Sequence, residues 1–169
     1  MLSKANTSLS TLLVTLLLVS CGADTKGAGT KGPSQLDPFW SATAFSGARQ
    51  VLDIRNNAAK DDNVVVTGRV REFVENRSVF TLTDVTLKAC NDEDCENCPT
   101  PWDYCCIEPE VVASNTITIE IQDDNGRPLG EGFKGFKGLN HLQAVTVSGT
   151  VSKDDAGNVT VRASSLHWN

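Results

Sequence analysis

The 169-residue chain holds one tyrosine and two histidines, and aromatic residues make up only 6% of it. It also lacks a basic excess, with 15 Lys and Arg against 21 Asp and Glu. A protein that grips nucleic acid through its phosphates needs clustered cations, so this charge balance argues against that partner. There is no apolar run long enough to cross a bilayer, because Leu9 to Val19 falls short of the roughly 20 residues a spanning helix requires. No Ser-His-Asp order, nucleophile elbow, zinc-protease helix or phosphate-binding glycine loop occurs. With no catalytic constellation in view, the expectation is a binding protein and not an enzyme.

What is present begins at the N-terminus. Lys4 followed by the run Leu9 to Val19 has the order of a secretory signal. The run ends in Leu18-Val19-Ser20-Cys21-Gly22, which resembles a bacterial lipobox, where a small residue precedes a cysteine that is lipidated and becomes the mature N-terminus. On this resemblance, residues 1–20 are the signal peptide and Cys21 is the lipidation site. Acyl chains would then anchor the protein outside the cytoplasm on the bacterial cell envelope, with the membrane as its first partner. Gly22 in place of Asp leans toward an outer membrane. Loss of residues 1–20 removes Lys4 and no acid, leaving 14 basic against 21 acidic side chains, a balance of −7. Residues 21–35 comprise the lipidated cysteine and a Gly-, Ala-, Thr- and Lys-rich stretch that reads as a flexible tether, about 20 Å in mean reach.

Residues 36–169 carry the folded domain. Asp37-Pro38 offers a helix start, with Phe39, Trp40, Ala42 and Phe45 as its apolar contacts, and Ala48 to Ala59 reads as a second, weak helix. From Val64 the apolar period becomes two, the mark of half-buried strands. Val64, Val66, Gly68 and Val70 share one face, as do Phe80 and Leu82. Ile117, Ile119 and Ile121 alternate with polar residues, as do Val145, Val147 and Val151, and then Val159, Val161 and Ala163. Five strands follow, with a glycine midway along the first. The stretch Pro128 to Gln143 separates the third from the fourth and offers one helical turn near Leu139.

This pattern, with Val64-Val65-Val66-Thr67-Gly68-Arg69-Val70 in the first strand and Val145-Thr146-Val147-Ser148-Gly149-Thr150-Val151 in the fourth, resembles small exported bacterial OB-fold domains. The fold class expected is all-β with minor α, a five-stranded OB-like barrel. An open β-sandwich is the alternative with the same periodicity. OB barrels bind across their second and third strands, where the exposed side of the second strand offers Thr81 and Thr83 in place of stacking aromatics. A protein or small ligand is the partner this edge suggests.

The cysteine-rich insertion, residues 88–112, falls between the second and third strands. It contains Cys90, Cys95, Cys98, Cys105 and Cys106 in the spacing Cys-x4-Cys-x2-Cys-x6-Cys-Cys, with Trp102 and Tyr104 beside the last pair. The run Cys98-Pro99-Thr100-Pro101-Trp102-Asp103-Tyr104-Cys105-Cys106 also resembles that of uncharacterised exported bacterial lipoproteins with a tether and an OB-like barrel, a resemblance that carries no activity with it. Export favours disulfides, so the expectation is a loop stapled by disulfides, with Trp102 capping the barrel. No cofactor is required by that reading. Removing Cys21 leaves an odd five, so one sulfur must have another fate. Two alternatives stay open: a zinc or copper site using the Cys95-x2-Cys98 knuckle with Cys90 and Cys105 or Cys106, and a redox-active thiol. The acidic neighbours Asp92, Glu93, Asp94 and Glu96 would raise the thiol pKa. His141 and His167 read as packing residues. The pairs Asp61-Asp62, Asp123-Asp124 and Asp154-Asp155 read as turn formers.

Overall fold

The computed structural model describes residues 32–92 and 98–169. Cys21, the signal segment and most of the tether lie outside the described residues, as does Cys95. None of the described helices is long and apolar enough to cross a membrane.

The described strands are β1 (Arg49–Gln50), β2 (Asn63–Phe73), β3 (Val79–Thr83), β4 (Thr116–Glu120), β5 (Ala144–Lys153) and β6 (Val159–His167), with helices α1 (Val51–Asn57) and α2 (Pro109–Ser114). Strands β2 to β6 close on themselves in the order β2-β3-β4-β6-β5, with β5 pairing back to β2. The β2–β3, β3–β4, β2–β5 and β5–β6 pairs are antiparallel, and β4 runs parallel to β6. This is the five-stranded OB-like barrel that the two-residue period foretold. An open sandwich would leave the β2–β5 seam unpaired.

The pattern works because most inward positions carry a branched or aromatic apolar side chain. Along β2, Val64, Val66 and Val70 are buried while Thr67, Arg69 and Arg71 face outward. Phe80, Leu82, Ile117, Ile119, Val147, Val151 and Val161 complete the interior. Each such fully buried side chain contributes about 1.5–3 kcal/mol relative to an exposed one. The outward Arg69 and Arg71 matter for the site below.

Two glycines let the strands coil this tightly. A Cβ on Gly149 would stand 2.3 Å from the Arg162 carbonyl oxygen, at the point where the β5–β6 register shifts. On Gly68 it would stand 2.7 Å from Val51 Cγ2 and 2.9 Å from the Thr83 carbonyl oxygen, where α1 lies against β2.

The helical expectations need adjusting. The segment Asp37–Phe39 forms a single 3-10 turn, because Trp40 bridges to Leu166 and draws the chain out along β6. The second helix is shorter than Ala48 to Ala59, since Arg49 and Gln50 extend to pair in parallel with Val66 and Thr67. The turn expected near Leu139 falls instead at Phe136–Gly138. The aromatic cap on the barrel comes from Trp40, Phe136 and Trp168, which meet edge to face at centroid distances of 6.3 and 5.9 Å. Trp102 is not part of it.

Candidate metal centre

The cysteine loop leaves β3 at Asp84 and returns to β4, and its ends are joined by the Asp84 N–H donating to the Asn115 carbonyl at 2.9 Å. Asp84 is buried, and its carboxylate accepts from the Leu52 N–H at 2.7 Å, the Thr86 N–H at 3.0 Å and the Thr86 hydroxyl at 2.8 Å. Burial alone would raise its pKa, but these donors outweigh it and hold the carboxyl below the usual range. The loop is thereby pinned to the start of α1.

Further along, a 3-10 turn at Cys90–Asp92 lies beside residues 101–103. Two backbone bonds hold the segments together, Cys90 N–H to Asp103 O at 2.9 Å and Asn91 N–H to Pro101 O at 2.8 Å. Two side-chain clamps reach in from the outer face of β2. Arg69 forks onto both carboxylate oxygens of Asp92, and Arg71 reaches Asp103 at 3.4 Å. Beneath them Ala89, Tyr104 and Val112 form a small core of their own, with Leu87, Ile107 and Leu142 packed against it.

On this base the sulfurs converge. Cys90 Sγ stands 3.2 Å from Cys105 Sγ and 4.0 Å from Cys106 Sγ, and Cys98 Sγ stands 3.8 Å from Cys105 Sγ. The Cys90, Cys105 and Cys106 sulfurs all lie within 4.8 Å of one another and could hold a metal ion. Cys98 joins at the rim through Cys105. In a tetrahedral site with zinc–sulfur bonds of 2.3 Å, sulfurs stand about 3.8 Å apart. A disulfide instead needs about 2.05 Å. The Cys98–Cys105 and Cys90–Cys106 spacings lie near the first value, and the Cys90–Cys105 spacing of 3.2 Å falls between the two. The disulfide staple expected for these sulfurs is therefore not what the described residues form, because the clamps set Cys90 and Cys105 side by side without bonding them.

The electrostatics also depart from expectation. Of the described acids in the loop, Asp92 pairs with Arg69 and Asp103 with Arg71, so these two do not simply oppose thiolate formation. The Cys105 thiol donating to Cys90 brings Cys90 down to about 7, against burial and with help from the Cys106 N–H. The same contact, joined by Cys98, pushes Cys105 up to about 12. The contact thus favours the thiolate at the buried sulfur and disfavours it at Cys105.

No known family matches this chain, and no curated protein does either. Among solved structures, a protein of Leishmania major Friedlin named as an aspartyl-tRNA synthetase superposes with a TM-score of 0.41 at 10% identity, over 79% of this chain. The chain spans only 24% of that protein's length. So distant a likeness carries no argument about the site.

The remaining predicted residues scatter. Thr81 is half-buried, and its hydroxyl accepts from the Glu72 N–H at 3.1 Å. Thr83 is fully buried with its hydroxyl 3.3 Å from that of its cross-strand partner Thr116, so it does not lie on an exposed edge. Tyr104 is also buried, and burial raises its pKa. Trp102 is exposed and stacks on His141 at a centroid distance of 5.4 Å, and His141 meets Phe73 edge-on at 5.1 Å. His141 and His167 each place Nδ1 on a backbone carbonyl, of Arg71 and Ser41. Asp123 and Asp154 each accept turn N–H groups, as expected. Arg69, Arg71, Asp92 and Asp103 are the positioning residues that sequence reasoning passed over. Their only signal was two arginines spaced two apart on an outward strand face.

Proposed function

We propose that this chain is a metal-binding module in which an OB-like barrel presents a cysteine cup for one thiophilic cation, zinc in the first instance and copper(I) as the alternative. The observation that carries the reading is the convergence of Cys90, Cys105 and Cys106, with Cys98 adjoining, at sulfur–sulfur distances of 3.2–4.0 Å. Sulfur-only donors select zinc, copper(I) or iron–sulfur chemistry over hard cations. Binding would draw protons off the remaining thiols and use the thiolate already favoured at Cys90.

In the same reading Cys21 is acylated and the tether suspends the barrel from the outer membrane of a bacterial envelope. The module then captures metal outside the cytoplasm by coordination and performs no reaction on a substrate. Purified without chelator under reducing conditions, residues 36–169 should carry one zinc per chain by elemental analysis. Cys90→Ser and Cys105→Ser should each lose it, whereas a wild-type domain that takes up no zinc or copper when reconstituted would refute the proposal. Globomycin treatment of cells making the full chain should accumulate the uncleaved precursor, and an unchanged mass would refute the lipid anchor.

A further inference from the structure

The thiols differ in how they meet solvent. Cys90 is buried, Cys98 is half-buried, and Cys105 and Cys106 are exposed. The exposed pair lines a cleft of about 400 Å³, whose other walls include Arg71, Asp103, Pro109 and Ala113. That volume lies within the range of small-molecule sites. Structural zinc sites are closed by four protein ligands, whereas sites that exchange or react keep a position open. Here three sulfurs face one another within 4.8 Å, and two of the three border an opening large enough for an incoming ligand.

We infer that the fourth coordination position of the cation opens into this cleft and is taken by a thiolate from outside the chain, making the barrel a donor of metal to small thiol-bearing molecules. The inference rests on the metal-binding reading and adds the class of acceptor and the route. A thiol is the fitting acceptor because a thiolate is as soft a donor as the three sulfurs it would replace. Its S–H proton passes to solvent as its sulfur bonds to the cation. The bonds from the cation to Cys105, Cys106 and last Cys90 would then break in turn as further acceptor thiolates replace them, each acceptor losing its S–H proton to solvent and each freed cysteine recovering one. No electron changes hands, so neither oxidant nor reductant is needed. The cleft decides which acceptors reach the cation, since Ala113 on α2 leaves its far wall low.

The test follows zinc leaving the loaded domain for a chromophoric chelator, with and without reduced glutathione as the probe. In the wild type, glutathione should speed release several-fold. Ala113→Trp fills the cleft from an exposed helical position and should abolish that acceleration while leaving bound zinc at one per chain. Ala113→Ser, which leaves the cleft open, should behave as the wild type. Release that glutathione does not speed, or that Ala113→Trp does not slow, would overturn the inference while zinc still bound. A domain that takes up no zinc would overturn both this inference and the reading beneath it.

Discussion

Arg69 and Asp92 are joined by a two-pronged ion pair, both guanidinium Nη atoms meeting both carboxylate oxygens, which ties the outer face of β2 to the turn that carries Cys90. Asp92 Oδ2 also accepts from the Ala89 N–H at 3.0 Å. Both partners are largely shielded, with 18% and 30% of their side-chain surface exposed. This geometry sets it apart from ordinary surface pairs, most of which contribute little.

Removing that clamp should loosen the cup without unfolding the barrel. Arg69→Ala is expected to weaken zinc binding by about tenfold, the lower end of what outer-shell partners contribute. Arg69→Lys keeps the charge but loses the fork, so it should recover only part of the affinity. Competition against a chromophoric chelator measures both.

The proton balance of the cluster gives a pH prediction. Cys90 in the folded domain sits near 7, below the ordinary 9.0, so it is a thiolate above that point and a thiol below it. Acid should therefore weaken metal binding as the pH falls through about 7, with protons competing for the buried sulfur. In the metal-free domain, ultraviolet thiolate absorbance should show a step near pH 7, and Cys105→Ala, which removes the donor, should move that step upward.

Asp84 organises the root of the loop, and its loss should show as stability. Asp84→Ala takes the acceptor from the part-buried Leu52 and Thr86 donors, at about 1 kcal/mol. The carboxyl is held below its usual value of 3.8, so its charge stabilises the fold above that pH, and the contribution fades as acid protonates it. Denaturant melts of wild type and Asp84→Ala should differ most at neutral pH and draw together as the pH falls below 3.8.

Gly149→Ala should destabilise the barrel more than Gly68→Ala. The first places a methyl 2.3 Å from a backbone carbonyl that cannot yield, and the second meets a Val51 methyl at 2.7 Å as well as the Thr83 carbonyl at 2.9 Å. Overpacking of this kind costs about 1–3 kcal/mol, and thermal melts rank the two.

The barrel was legible because a closed sheet with one buried face must alternate, and Val64 to Val70, Ile117 to Ile121 and Val145 to Val151 do so. Gly68 stood out for the same reason, as a gap in an otherwise branched strand. The loop was legible only as a set of sulfurs. Its spacing could not say which would meet, because Asp92 and Asp103 find Arg69 and Arg71 across more than 20 residues of chain. Of the acids that looked hostile to thiolates in sequence, Asp92 is paired with Arg69, while Glu93, Asp94 and Glu96 lie outside the described residues. Thr83 is buried by packing that no local period encodes. The stacking of Trp102 on His141 joins residues 39 apart in the chain, which no local pattern announces.

X-ray absorption at the zinc edge of the loaded domain examines the cup itself. A cation held by Cys90, Cys105 and Cys106 gives a shell dominated by three to four sulfurs at about 2.3 Å. A shell of nitrogen and oxygen, or a domain whose cysteines are paired as disulfides with no metal bound, would contradict it.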